Sequence, residues 1–183
     1  MAEPTPGGSE TGSDVDADAV AHGTATAPPG TRCLVAIFAS PVAEYLLRYA
    51  GDVGYRTVLL EPDPARAAGI STDAEVVTSV HAAGVDQDTD VVMTDHHRRE
   101  LGEQLRDALA ADVRWVGLMG NPRHVGPHIE ALTALGVAAA DIDRVHRPIG
   151  LNIGSRTPAE IAVSTIAGLL AERNGRPGGF TFP

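Results

Sequence analysis

Cys33-Leu34-Val35-Ala36-Ile37-Phe38-Ala39-Ser40-Pro41-Val42-Ala43 is the stretch whose reading decides the fold. Residues 33–38 are apolar without a break. Such a run suits a strand covered on both faces, as in a parallel sheet. Ser40 then offers a helix cap and Pro41 fits the first helical position. From Pro41 onward Val42, Leu46, Leu47 and Ala50 fall on one helical face, so residues 41–50 are predicted to be a helix. Strand, short loop and helix within eighteen residues make the opening unit of an α/β protein.

The same alternation continues outward. Residues 57–61 read as a second strand, stopped by Pro62 and Pro64. Short strands are expected at 75–78 and 90–94, a polar helix at about 98–110, and a strand at 114–119. A helix over 122–135 stops at Gly136, a sixth strand covers 145–149, and a long helix over 157–173 ends at Gly175. This predicts a Rossmann-like α/β fold: a doubly wound, mostly parallel sheet with helices on both faces. The domain is expected to span 31–176. Residues 1–30 carry five acids and no Arg, with little to bury, and read as a disordered acidic tail. Residues 177–183 read as a C-terminal tail.

Composition narrows the function classes. The chain has 183 residues and a net charge of −10. That charge argues against non-specific nucleic-acid or anionic-membrane binding, so neither partner is expected. All fourteen basic residues are Arg. No apolar run approaches the roughly 18 residues of a membrane span. The N-terminus lacks the basic and hydrophobic regions of a signal peptide, so a cytoplasmic location is expected. Cys33 is the single cysteine, which excludes an intrachain disulfide, and it is expected in the core.

Four loops share one grammar of a capping residue followed by proline: Ser40-Pro41, Asp63-Pro64, Asn121-Pro122 and Thr157-Pro158. In a parallel sheet such loops gather at the carboxyl ends of the strands, where these folds take ligands. A dinucleotide fingerprint needs glycines in the first loop. Here that loop has none, and Phe38 and Ser40 stand in place of the first two. This counts against NAD(P) in the usual mode. Glu61 stands where a ribose-binding acid would, but without the first-loop glycines it reads as a turn acid ahead of Pro62 in preference to a ribose ligand.

The fifth loop holds Gly117 and Gly120, which lower the steric wall, then Asn121 as a cap and Arg123 in the first turn of the next helix. Asp95 and His96 follow the fourth strand as polar groups for the crevice or for the loop itself. His124 and His128 share a helix face; a solvated pair is expected there rather than a metal site.

The richest block is His146-Arg147-Pro148-Ile149-Gly150-Leu151-Asn152-Ile153-Gly154-Ser155-Arg156-Thr157-Pro158-Ala159-Glu160-Ile161. It is a glycine-punctuated loop feeding a helix. Thr157 caps, Pro158 starts, and Glu160 reaches back. A helix start with Arg156 beside it suits an anion such as phosphate; an ordinary capped helix fits the same residues.

This block, with residues 90–94 and Trp115-Val116-Gly117-Leu118-Met119-Gly120, resembles the Rossmann domain of the XdhC/CoxI family, the xanthine dehydrogenase accessory proteins. The resemblance runs from about Cys33 to Asn174. It implies a non-catalytic accessory or chaperone role in molybdenum hydroxylase maturation. The molybdenum cofactor (molybdopterin), an anionic pterin bearing phosphate, would be bound and passed to a hydroxylase apo-subunit. A sulfurtransferase is a second candidate partner. The residues expected to hold the cofactor are Gly117, Gly120, Asn121, Arg123, Gly150, Asn152, Gly154, Ser155, Arg156, Thr157, Asp95 and His96.

Family members commonly carry Gly-Ala-Gly-His where this chain has Phe38-Ala39-Ser40-Pro41. They carry Asp in place of Asn152, a small residue in place of Ser155, and Thr-His-Asp where Thr94-Asp95-His96 stands here. Full-length members also have an N-terminal domain with its own cysteine motif. These differences imply either a Rossmann half that works with a partner or a relative with altered ligand preference. Two other function classes stay open: a NAD(P)- or nucleotide-binding oxidoreductase, and a ligand-free partner-binding module. The final helix, with Ile161, Thr165, Ile166 and Leu169, is apolar enough to pack on the sheet or, as a homodimer, on a second copy.

Overall fold

A computed structural model describes residues 17–22, 32–120 and 125–179. The chain divides into two units, Met1–Gly30 and Thr31–Pro183. In the first, Ala17–Ala21 forms one short helix, α1, inside the segment read as a disordered tail. The rest of that segment lies outside the described residues, as do residues 180–183.

The second unit holds six strands: β1 Cys33–Ile37, β2 Arg56–Leu60, β3 Glu75–Val77, β4 Thr89–Met93, β5 Trp115–Leu118 and β6 Val145–His146. They form one sheet in the order β3-β2-β1-β4-β5-β6, and every pairing is parallel. This is the doubly wound Rossmann order, with its reversal between β1 and β4. The expected "mostly parallel" sheet is parallel throughout. The helices are α2 Pro41–Asp52, α3 Pro64–Ala67, α4 Leu101–Ala110, α5 Pro127–Ala134, α6 Ala139–Ile142 and α7 Pro158–Arg173.

Each strand alternates its side chains between two cores. Cys33, Val35 and Ile37 of β1 join Val58, Leu60, Val91 and Met93 under α4, α5 and α6. Leu34 and Ala36 join Leu59, Val92 and Trp115 under α2 and α7. Both faces are covered, which is why the apolar run in β1 has no polar break. The α7 side chains Ala162, Ile166 and Leu169 pack with Leu46, Leu47 and Ala50 of α2, and Ile161 packs at the margin. Each fully buried Leu contributes roughly 1.5–3 kcal/mol. This face of α7 is therefore used within the domain. Cys33 is buried as expected, and burial pushes its thiol pKa up.

Three of the four cap-proline pairs start helices. Ser40 Oγ accepts from the Ala43 N–H at 3.1 Å, Asp63 Oδ1 accepts from Ala65 N–H at 3.0 Å, and Thr157 caps α7. The fourth, Asn121-Pro122, lies outside the described residues; α5 begins at Pro127, with Gly126 at its cap and no side-chain cap bond. The proline at its first position is thus Pro127 and not Pro122. The helix expected from residue 98 begins at Leu101, because Arg98 turns inward. Strand β6 stops at His146, two residues before Pro148, which has no N–H for a ladder. The short α6 and a 3-10 turn at His81–Ala83 had no clear signal in the sequence.

At the amino edge of the sheet Asp90 is wholly buried. It accepts from Arg114 Nε at 2.6 Å, Arg173 Nε at 3.0 Å and the Tyr55 hydroxyl at 3.2 Å. Arg114 also pairs with Glu172. This cluster ties β4, the start of β5 and the C-terminal end of α7 together. Arg173 also places positive charge at the negative end of the α7 dipole.

Candidate functional site

The loops after β1, β2, β4, β5 and β6 emerge at the carboxyl edge of the sheet, and the reversal between β1 and β4 opens a crevice there. Phe38, the first residue past β1, has φ 79°. That backbone conformation is rare for a bulky residue and natural for glycine. It is held in place from both sides. Phe38 N–H donates to the Leu60 carbonyl at 2.9 Å, and the Thr94 hydroxyl, just past β4, donates to the Phe38 carbonyl at 2.6 Å. The Phe38 side chain is wholly buried.

Glu61, just past β2, is not the exposed turn acid that Pro62 suggested. It is wholly buried and paired with Arg98 from the loop after β4. Arg98 donates to both carboxylate oxygens at 2.9 Å, and the N–H groups of Ala39 and Asp63 add bonds of 2.8 and 3.0 Å. Burial alone would raise the Glu61 pKa; the bonds from Arg98, Asp63 and Ala39 outweigh it and hold the carboxyl below the usual carboxylate range. The same bond raises the Arg98 pKa, so both groups stay charged. Arg98 also reaches Glu100 at 3.3 Å, and its guanidinium lies 4.5 Å from the centre of the Phe38 ring. One ion pair thus locks the loops after β1, β2 and β4. Only Glu61 gave a signal in the sequence, through its place at a strand end; Arg98 lies 37 residues away and gave none.

Gly117, expected in the fifth loop, lies within β5, and it and the glycines of the loops after β5 and β6 do bring groups close, but the groups belong to the chain. A Cβ on Gly117 would stand 2.1 Å from the Trp115 ring and 2.9 Å from Ile149. Trp115 in turn stacks on His146, with ring centres 5.0 Å apart. A Cβ on Gly120 would meet the Arg147 guanidinium at 2.7 Å. Gly150, at φ 85°, lies against Ser164 and Thr165 of α7, and Gly168 faces it across the same contact. Gly154 differs: it has φ 71°, and a Cβ there would meet nothing within 4 Å. Asn121 and Arg123 lie outside the described residues.

Past Gly154 the capping box is complete. Glu160 N–H donates to Thr157 Oγ1 at 3.3 Å, while Glu160 Oε2 accepts from the N–H groups of Thr157 at 3.1 Å and Arg156 at 2.6 Å. These two N–H groups lower the Glu160 pKa. The helix start therefore already holds an anion of its own, the Glu160 carboxylate. Ser155 is half-buried, with its hydroxyl donating to the Glu160 carbonyl at 3.3 Å. Asn152 is exposed, and the exposed Arg156 guanidinium stands outside every ion pair among the described residues.

Asp95 and His96 are half-buried at the crevice mouth. Asp95 Oδ1 accepts from the His97 N–H at 2.9 Å, and the His96 ring lies 4.1 Å from that of His97. His128, read as solvated, is buried beneath Gly126 instead, with Nδ1 unpartnered. Burial and nearby Arg147 push its pKa down, which favours the neutral ring. His124 lies outside the described residues. Among the described residues no group of three or more His, Cys, Asp or Glu side chains is placed to hold a metal ion. No helix among them is long and apolar enough to cross a membrane.

The strand order and the crevice define a Rossmann-type domain whose first loop is closed by its own side chains and whose glycine-punctuated last loop opens into a boxed helix. The chain belongs to the XdhC Rossmann-domain family, whose model matches residues 34–169. It is 37% identical over 89 residues to the uncharacterized protein YqeB of Escherichia coli K12, a match that covers 49% of this chain and 16% of YqeB. Its fold is shared with a crystal structure of a xanthine dehydrogenase from Bacillus halodurans, at TM-score 0.64 and 24% identity over 82% of this chain and 45% of that one. The chain thus spans less than half the length of either relative.

Proposed function

We propose that this domain serves the maturation of a molybdenum hydroxylase of the xanthine dehydrogenase type, binding the molybdenum cofactor and passing it to the apo-subunit. The observation that carries this reading is the family match, which covers the sheet, the crevice loops and most of α7. Family membership supports a xanthine dehydrogenase-associated role, and cofactor carriage is the finer step.

The described residues fit such a ligand at one place. Gly154 leaves open space, and Arg156 beside it is exposed and uncommitted. Arg156 would neutralise the phosphate with a charge-assisted, forked contact. Because Glu160 occupies the Arg156 and Thr157 N–H groups, the guanidinium is the available phosphate donor there, more than the helix start itself. Asn152, Asp95 and His96 would face the polar pterin. The bound cofactor would supply the metal centre that the hydroxylase uses; this chain would hold and shield it. Transfer to an apo-subunit, with a sulfurtransferase as a further partner, is part of the same proposal, as is a cytoplasmic site of action.

The test is to purify the protein from cofactor-sufficient cells, oxidise it, and assay the denatured extract for fluorescent pterin. The expected result is pterin at a sizeable fraction of the protein, falling at least about tenfold in Arg156→Ala, since a charge-assisted contact is worth roughly 1.5–3 kcal/mol. No pterin in the extract, and none taken up when cofactor is added to the protein, would overturn the proposal.

A further inference from the structure

In a Rossmann domain the half of the crevice beside β1 and β2 takes the adenosine end of a dinucleotide. The pyrophosphate crosses the turn after β1 on glycines, and an acid at the end of β2 accepts from the ribose hydroxyls. In this chain three residues stand in those places. Phe38 takes the glycine-like φ of 79°, and its wholly buried side chain joins the core on the α4 side with the Arg98 guanidinium over its ring. Glu61 stands just past β2, but both oxygens already accept from Arg98 at 2.9 Å. The Ala39 N–H, which the turn would otherwise present to a phosphate, donates to Glu61 at 2.8 Å.

We infer that Phe38, Glu61 and Arg98 are a built-in plug that excludes dinucleotides from this half of the crevice. Arg98 stands in for the ribose: its fork gives Glu61 the two parallel bonds that a diol would donate. A ribose could reach Glu61 only by breaking this buried ion pair and leaving the Arg98 charge without its partner, so a ribose does not displace it. The Arg98 guanidinium offers no free charge to a pyrophosphate either, because Glu61 and Glu100 both hold it. The exclusion lies in groups already taken: both Glu61 oxygens, the Ala39 N–H and the Arg98 fork packed over Phe38. It holds whatever the loops after β5 and β6 take, so it stands or falls apart from cofactor carriage.

The experiment is a titration of the full chain with NADH, NADPH and ADP-ribose, followed by ligand fluorescence or calorimetry. The wild type is expected to show no saturable binding below about 1 mM. Phe38→Gly/Ser40→Gly/Arg98→Ser, which restores the glycines and frees Glu61, is expected to bind at least about tenfold more tightly. Saturation of the wild type below about 100 µM would overturn the inference, and so would no gain in a variant that keeps the wild-type far-ultraviolet dichroism. A second measurement needs no variant: amide hydrogen exchange over residues 38–40 and 61–63 of the wild type with ADP-ribose at about 1 mM. Unchanged exchange is expected; protection there would sink the idea.

Discussion

Two buried carboxylates, Glu61 and Asp90, sit at opposite ends of one sheet, and arginine holds both. Asp90 lies inside β4 near the amino edge, and its partners Arg114 and Arg173 leave 21% and 11% of their side chains exposed. Glu61 lies just past β2 at the carboxyl edge, and Arg98 is more enclosed, at 6%. The Asp90 cluster joins ends of regular elements: two strands and the last residue of α7. The Glu61 pair joins three loops, at the edge where this fold takes ligands. The chemistry is alike. Position in the topology makes one cluster a brace and the other a plug.

The largest effect that separates them is expected on stability. Arg98→Ala leaves Glu61 a buried charge with only backbone donors, and should cost about 3–5 kcal/mol in urea unfolding. Replacing both members, as Glu61→Gln/Arg98→Met, should recover part of that loss, since no buried charge is then left unpaired. Asp90→Asn keeps the size and one acceptor in a cluster that reaches water, and should cost less, about 1.5–3 kcal/mol. A larger loss for Asp90→Asn than for Arg98→Ala would reverse the comparison.

Acid gives a finer cut. The Glu61 carboxyl titrates below its ordinary value in the folded state, so the unfolded chain takes up the proton first as pH falls. Its contribution is therefore complete above the ordinary carboxylate range and is lost as pH drops through the lower, folded value. Urea midpoints measured from pH 7 down to about 3 should fall more steeply for the wild type than for Glu61→Gln/Arg98→Met. Equal slopes would show that Glu61 is not clamped. The smallest effect belongs to the cap. Thr157→Ala should cost about 1 kcal/mol in the same assay. It should leave the dinucleotide titrations unchanged, because the capping box lies outside the plug.

The fold was largely legible because its signals are local. The apolar run at 33–38, the helical face of Val42, Leu46, Leu47 and Ala50, and the Ser40, Asp63 and Thr157 caps each lie within a few residues of what they specify. The start of α5 was less legible: it begins at Pro127, where no side chain caps, and the Asn121-Pro122 pair that carried the signal lies outside the described residues. Of the candidate site, the capping box was readable, and so was the missing first-loop glycine. What the glycines face was not: Gly117 takes the Trp115 ring, Gly120 the Arg147 guanidinium and Gly150 the backbone of α7. A glycine records only that something comes close.

By itself the sequence determined the strand–helix alternation, the two-faced core and the capped entry into α7, because hydrophobic period and caps act over neighbouring residues. Tertiary structure alone decided that Glu61 is clamped by an arginine 37 positions on, and that Phe38 takes the turn conformation natural to glycine. Burial and the meeting of loops from different strands set those outcomes, and neither is written in spacing along the chain.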